Sequence, residues 1–183
     1  MHTPRRTDAR RNREVILQAA EEAFARGSES VSLADIARRA GLGRATVYRH
    51  FPDRHALAGA VASRHLAQWR RMTEAGGQFR DVLFRVLCEQ VERRPLVRLF
   101  RELPAGEQRR YVTALIEVLA PSFRRAQAAG RLRPDAEPAD IARIVEMVEA
   151  VVTSQFAPVE GAAAVRKVIS LALDGLCSPA PVP

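Results

Sequence analysis

The residues with the clearest chemical potential lie in one short segment, Arg44-Ala-Thr-Val-Tyr-Arg-His50. In a helix, at about 100° per residue, turning Val47 toward a core points Ala45 and Arg49 outward. The outward face then combines guanidinium, hydroxyl, methyl and imidazole groups, which suits a polyanion. Arginine donates two hydrogen bonds to a guanine edge, and small apolar groups fit against a thymine methyl. The segment is therefore a candidate for reading base pairs in a DNA groove.

Each outward side chain has a predicted role on a duplex. Arg44 is predicted to contact guanine, which is worth about 1–3 kcal/mol of discrimination between bases. Ala45 and the methyl of Thr46 are predicted to lie against a thymine methyl. Phosphate contacts position a helix without reading sequence, and they are predicted for Tyr48, Arg49 and His50. The alternative is an ordinary helical hairpin with a solvated basic face.

The residues before this segment predict a second helix and a tight turn. Ser32 is a typical helix N-cap, and Asp35 is favourable near the positive end of the helix dipole. Gly41 suits the left-handed backbone conformation that ends many helices. The pattern predicts a helix-turn-helix, in which the second helix, Arg44 to about His50, lies in the major groove.

The run from Ser32 to Leu57 resembles the DNA-binding domain of the tetracycline-repressor (TetR) family of bacterial transcriptional regulators. In that family a Phe-x-[Asp/Asn/Ser]-[Lys/Arg] segment precedes the fourth helix, and here it reads Phe51-Pro-Asp-Arg54. The resemblance implies base contacts from Arg44, Ala45 and Thr46, and phosphate contacts from Tyr48, His50 and Arg54. Ser32 completes the predicted DNA-binding set.

Two positions depart from the family pattern. Gly43 stands where the family usually has a Ser or Thr that caps the recognition helix. Glycine is a tolerable cap, so the cost is a few tenths of a kcal/mol, but a possible hydroxyl contact to phosphate is lost. His55 stands where Glu is common, so the start of the fourth helix is less acidic.

Composition and charge indicate one or two small domains. The chain has 183 residues, 47% hydrophobic and 27% charged, and no apolar run approaches the ~20 residues of a membrane span. A cytoplasmic location without a membrane partner is predicted. Of the net charge of +8, residues 1–71 supply +7, from 14 arginines against 7 acids. This asymmetry is typical of a basic nucleic-acid-binding domain joined to a near-neutral one.

The hydrophobic pattern predicts an all-α fold with two domains. The first is an N-terminal three-helix helix-turn-helix DNA-binding domain, residues 1–53. The second is a C-terminal helical domain, residues 54–183, which the TetR resemblance implies is the ligand-binding and dimerisation domain. Helix four, residues 54 to about 75, is predicted to link them.

Three boundary predictions accompany this division. Residues 1 to about 7 are predicted to be disordered, with Thr7 capping a first helix that ends at Gly27. Pro121 is predicted to kink or divide a long helix that starts at Glu107, because proline removes a backbone donor. The proline-rich tail, residues 178–183, is predicted to be frayed.

The last two predicted helices, roughly Pro138 to Gln155 and Gly161 to Leu176, carry wide apolar stripes. Two such helices form half of a four-helix bundle that a second subunit completes, and the TetR resemblance implies the same pairing. A homodimer would set two recognition helices about 34–36 Å apart, which matches a palindromic operator. The alternative is that both stripes belong to the core of one chain. The predicted interface residues are Ile141, Ile144, Val145, Val148, Val152, Val165, Val168, Ile169, Ala172 and Leu176.

The family resemblance, rather than residue spacing, implies a small-molecule effector pocket in the helical domain. Its apolar lining predicts an apolar effector. The alternative for each lining residue is an ordinary core position. Arg98 and Gln155 are candidate polar contacts, and the candidate wall residues are Trp69, Met72, Phe79, Phe84, Cys88, Phe100, Tyr111 and Met147.

No pattern indicates enzymatic chemistry. The sequence has no glycine-rich phosphate loop, nucleophile motif or metal-ligand spacing, so no catalytic residue, metal or cofactor is predicted. Cys88 and Cys177 do not form a disulfide framework, although a thiol redox sensor is an alternative. The predicted function is a dimeric, ligand-responsive transcriptional repressor. The alternatives are a helical ligand-binding or interaction protein that no longer binds DNA, and a nucleoid-type protein that binds every duplex about equally.

Overall fold

The computed structural model describes residues 4–25, 31–154, 159 and 161–177 of the chain. Across these residues every regular element is an α-helix, which confirms the all-α class. The helices are α1 (Pro4–Ala25), α2 (Leu33–Ala40), α3 (Arg44–His50), α4 (Arg54–Glu74), α5 (Phe79–Glu92), α6 (Arg94–Arg101), α7 (Ala105–Ala128), α8 (Asp140–Val152) and α9 (Gly161–Cys177).

One boundary prediction is wrong, and one half of another. α1 begins at Pro4 rather than after Thr7, because proline at the first position of a helix forfeits no intrahelical hydrogen bond. α7 runs through Pro121 without being divided, and the kink at this proline stays a prediction. The residues on either side of this proline are buried, and the Ser122 hydroxyl donates to the Leu119 carbonyl at 2.9 Å. Gly27, Gln155 and residues 178–183 lie outside the described residues.

The chain forms two compact units. The N-terminal unit comprises Met1–His65 and Glu92–Ala105, and the C-terminal unit comprises Leu66–Val91 and Gly106–Pro183. The N-terminal unit holds 16 arginines against 9 acids, a surplus of +7, whereas the C-terminal unit has 13 basic residues against 12 acids. The charge asymmetry therefore follows the compact units. The functional division between residues 53 and 54 stays a prediction.

The N-terminal unit surrounds the short helices α2 and α3 with longer ones. The apolar faces of α1, α2, α3 and the first half of α4 share one core, and α6 packs into this core and against α1. Arg64 of α4 also pairs with Glu14 and Glu21 of α1. A seven-residue helix is too short to be stable alone, so α3 depends on this framework. Its core residues include Ile16, Phe24, Ile36, Val47, Leu57, Val61, Leu96 and Leu99.

The C-terminal unit is a helical bundle with its own core. Trp69 of α4, Leu83 of α5 and Leu119 of α7 lie in it with residues of α8 and α9. Phe79 and Phe123 meet edge to face, with ring centroids 5.2 Å apart, an arrangement that aromatic pairs favour. Buried apolar side chains from five helices thus form the core of this unit, and Cys88 and Cys177 are free thiols.

Candidate nucleic-acid interface

α2 begins at the predicted cap. The Ser32 hydroxyl accepts a hydrogen bond from the Asp35 backbone N–H at 3.1 Å, and the Asp35 carboxylate accepts one from the Ser32 backbone N–H at 3.4 Å. This reciprocal pair is a capping box, with Asp in place of the usual Glu or Gln. The Ser32 hydroxyl, which also donates to Asp35, holds the pKa of that carboxyl below its ordinary value.

Removing this cap has a defined expected cost. We expect Ser32→Ala to lower the free energy of unfolding by about 1 kcal/mol, because the first turn of α2 loses its side-chain acceptor. Ser32→Asn retains an acceptor oxygen and should keep most of the stability. Urea denaturation of the two variants measures the difference, and an equal loss from both would contradict the capping role.

The turn between α2 and α3 is set by glycine. Gly41 has φ 64° and ψ 27°, the predicted left-handed conformation, and the next backbone N–H, of Leu42, donates to the Ala37 carbonyl at 3.0 Å. α3 then starts after Gly43, which caps it without a side-chain hydrogen bond. The turn therefore redirects the chain within three residues, as a helix-turn-helix requires.

α3 is fixed by its buried side. Val47 is fully buried, as the sequence predicts, and Phe51, the C-cap residue, is 3% exposed. The Arg13 guanidinium of α1 lies 4.9 Å from the centroid of the Phe51 ring, a cation–π distance. Sequence reasoning missed Arg13, because one basic residue among several on α1 gives no signal of its partner.

The opposite side of α3 faces outward. Arg44, Ala45, Tyr48 and Arg49 are exposed, Tyr48 at 50%, whereas Thr46 and His50 are half-buried. One Arg49 Nη donates to the Thr46 hydroxyl at 3.4 Å. The predicted solvent exposure of this side of α3 is thus confirmed. The base and phosphate contacts assigned to it stay predictions.

Arg54 begins α4 and is already paired. Its Nη2 lies 2.6 Å from the Oε2 of Glu102, and the Nε2 of His55 lies 3.2 Å from the same oxygen. Hydrogen bonding with His55, aided by the Arg54 charge, holds the pKa of Glu102 below its ordinary value. The predicted phosphate-binding residue therefore has a carboxylate partner that sequence reasoning did not identify.

Most residues of the apolar stripes of α8 and α9 are buried within the single chain. Six of the ten predicted interface residues are buried in the C-terminal core: Ile141, Ile144, Val148, Val152, Ile169 and Leu176. Val145, Val165 and Ala172 are half-buried against that core, and Val168 is also half-buried. Because α5 and α7 contribute to the same core, burial of the six needs no second subunit.

A different apolar face of these two helices is exposed. Met147 is 48% exposed, Val151 38% and Leu171 64%. Met147 and Leu171 also line an open cavity of about 430 Å³, flanked by Arg133, Asp140 and Arg143. Leu171 was not among the predicted interface residues, because it stands beside the main stripe rather than within it.

The predicted pocket residues do not lie together in one place. Trp69 and Phe79 are buried in the C-terminal core, and Met72, Phe84 and Cys88 pack against it. Phe100 packs against the core of the N-terminal unit, and Met147 lies on the exposed α8 face. Arg98 is exposed.

Polar groups also lie within the C-terminal unit. The indole N–H of Trp69 donates to Glu89 Oε2 at 3.2 Å. Burial raises the pKa of Tyr111 to about 12, against a smaller opposing effect of its hydrogen bond with Gln90. The Tyr111 phenol is thus a neutral hydroxyl throughout the physiological range.

This shift predicts a loss of stability in alkali. Since the folded pKa of Tyr111 lies above the unfolded value near 10, its contribution is complete below pH 10 and is lost as pH rises toward 12. Absorbance titration at 295 nm should show one tyrosine that ionises only near pH 12, and Tyr111→Phe should remove that step. A late step that survives in Tyr111→Phe would contradict the assignment.

Among the residues placed by the structure, no helix is long and apolar enough to cross a membrane. Within the same residues, no group of three or more His, Cys, Asp or Glu side chains is arranged to hold a metal ion.

The geometry of α2, its glycine turn and the exposed face of α3 define the chain as a helix-turn-helix protein. The sequence model described as bacterial regulatory proteins, tetR family, matches residues 16–61. An uncharacterized HTH-type transcriptional regulator of Mycobacterium tuberculosis is 32% identical over 131 residues, which cover 67% of each chain.

Solved structures agree with this result. A TetR transcription regulatory protein from Mycobacterium vanbaalenii is 30% identical, with 96% of this chain and 100% of that one covered and a TM-score of 0.59. The TetR family repressor FadR of Thermus thermophilus, in complex with lauroyl-CoA, is 27% identical, with 93% and 98% covered and a TM-score of 0.51. The chain belongs to the TetR family of transcriptional regulators.

Proposed function

We propose that the protein is a homodimeric repressor that binds a palindromic operator and is released from it by a small apolar effector. The observation that carries the proposal is the two-sided character of α3. Val47 is fully buried while Arg44, Ala45 and Tyr48 are exposed, so a rigid helix presents groups that match base edges and phosphates.

The division of labour on DNA follows from position along α3 and α4. Arg44, Ala45 and Thr46 stand in the first turn of α3 and read bases. Phosphate contacts come from Tyr48, Arg49 and His50 further along α3 and from Arg54 at the start of α4. Ser32, the N-cap residue of α2, adds a further contact. The +7 surplus of the N-terminal unit adds a general attraction for the duplex.

The homodimer forms through the exposed face of α8 and α9. Met147, Val151 and Leu171 are large apolar side chains left in solvent by the single chain, together with the half-buried Val168 and Ala172. A two-fold contact uses the same patch on both subunits. Arg143 and Asp140 beside this face supply both signs of charge for a polar rim.

The effector is apolar and binds in the C-terminal unit, residues 66–91 and 106–183. The support is that unit's mixture of aromatic and polar groups, which includes Trp69, Cys88 and Tyr111, and the lauroyl-CoA bound by the similar Thermus repressor. Bound effector shifts the population between two conformations of the dimer. As a regulator of this kind, the protein acts in the cytoplasm, without enzymatic activity.

The experiment that tests the proposal is selection of duplexes from a random pool by the purified protein. We expect enrichment of one palindrome with half-sites about 10 base pairs apart, because two α3 helices meet successive major grooves. Recovery of an unenriched pool would reject operator recognition and favour a helical protein that does not read DNA.

The effector is tested separately by thermal unfolding. A ligand that binds only the folded state stabilises it by mass action, by about 2.7 kcal/mol at 100 times Kd, and so raises the melting temperature. Lauroyl-CoA and free fatty acids of increasing length are the first probes. Stabilisation that grows with chain length supports an apolar site, whereas stabilisation by coenzyme A alone contradicts it.

A further inference from the structure

Glu102 lies at the end of a firmly placed helix. α6 is held in the core of the N-terminal unit by Leu96 and Leu99, both at most 6% exposed. Glu102 is the C-cap residue of α6, and its backbone N–H donates to the carbonyls of Arg98 and Leu99 at 3.3 and 3.2 Å. Its carboxylate is therefore presented from a fixed point of the same unit that carries α3.

That carboxylate engages two basic side chains at the start of α4. One oxygen, Oε2, lies 2.6 Å from Arg54 Nη2 and 3.2 Å from His55 Nε2. The neighbouring acid, Asp53, is used differently, since its Oδ1 accepts the Ala56 backbone N–H at 2.7 Å as a helix cap. Glu102 is thus an ion-pair partner of Arg54, although 48 residues separate them in sequence.

Carboxylate and phosphate oxygens compete for the same donor. Both are anionic acceptors, and charge-assisted hydrogen bonds from a guanidinium suit either one. The guanidinium has five N–H groups, so Arg54 has donors left over when it pairs with Glu102. Its charge, however, is offset by the carboxylate, and that carboxylate repels an approaching phosphate.

We propose that Glu102 is an internal competitor of backbone phosphate, which pairs with Arg54 and His55 in the free protein and lowers affinity for every duplex alike. This inference rests on the proposed function, because it assigns Arg54 to phosphate. It extends that function by identifying the residue that limits affinity without reading sequence. Weak sequence-independent binding leaves more of the protein free to find its operator.

The expected effect is modest, because the three side chains are between 36% and 47% exposed. Exposed ion pairs contribute little, so we expect Glu102→Gln to tighten binding by about threefold per half-site and about tenfold for two half-sites. The factor should be the same for the selected palindrome and for a scrambled duplex of equal length and composition. Equality across sequences distinguishes a phosphate effect from a change in base reading.

The experiment compares five proteins on those two duplexes at one salt concentration: wild type, Glu102→Gln, Arg54→Gln, the double variant and a control. Glu22→Gln is the matched control, since it removes the same charge from an exposed position on α1. Thermal unfolding checks that each variant is folded. We expect Glu102→Gln to tighten both duplexes, Glu22→Gln to change neither, and most of the gain to disappear when Arg54 is already Gln.

Three results would overturn the inference. Weaker binding by Glu102→Gln would mean that the carboxylate positions Arg54 for DNA instead of withholding it. If Glu102→Gln tightened DNA binding equally with and without Arg54, the gain would come from the change in net charge. The same would hold if Glu22→Gln tightened binding as much as Glu102→Gln does. Failure of the wild-type protein to bind any duplex is a separate outcome, which rejects the proposed function and the inference with it.

Discussion

Arg44→Ala is expected to abolish the preference for one base pair in each half-site while leaving the fold intact. Arg44 is exposed at the first position of α3, so its removal leaves no cavity. A bidentate contact to guanine discriminates by about 1–3 kcal/mol, and two half-sites therefore give a loss of about 30-fold to 10⁴-fold on the selected palindrome. Affinity for a scrambled duplex should fall far less.

Arg54→Ala is the matched control for this prediction. It removes the same functional group from the start of α4, at a position assigned to phosphate. We expect it to weaken the palindrome and the scrambled duplex by the same factor and to reduce the salt slope by about one per half-site. If the two substitutions changed specificity and salt dependence equally, the assignment of Arg44 to bases and Arg54 to phosphate would be wrong.

Leu171→Glu is expected to convert the dimer to a monomer and to cost about 10²- to 10⁴-fold in operator affinity. Leu171 is 64% exposed in the single chain, so a glutamate there is tolerated by the folded subunit but places two like charges across a two-fold contact. The loss of DNA affinity follows because linked recognition helices gain that factor from effective concentration.

Thr113→Glu is the control for the dimer prediction, because it adds the same charge at an exposed position of α7 in the same unit. Sedimentation velocity should show a dimer for wild type and for Thr113→Glu, and a monomer for Leu171→Glu. A dimer that survives in Leu171→Glu places the subunit contact elsewhere than the exposed face of α8 and α9.

The helix-turn-helix was predictable because its determinants are local. The cap at Ser32, the left-handed Gly41 and the burial of Val47 depend on residues within one or two turns. Each of these three features depends on short-range interactions, and all three predict the same structure. The exposed face of α3 then follows from helical geometry alone.

Contacts between distant segments were not predictable in the same way. Nothing in residues 94–101 indicates that α6 packs into the N-terminal unit, because an amphipathic helix specifies an apolar face and not its partner. The pair between Arg54 and Glu102 follows from that packing. The apolar stripes on α8 and α9 are consistent with a core or with a subunit interface. Only the exposed fraction of each side chain in the single chain separates core residues from candidate interface residues.

The central claim, that α3 reads base sequence, is tested most directly by the affinity of the wild-type protein for the selected palindrome and for a scrambled duplex across a salt series. We predict that both affinities fall steeply with salt, and that the palindrome binds at least about 10³-fold more tightly at physiological salt. Equal affinity for the two duplexes at every salt concentration would contradict the account.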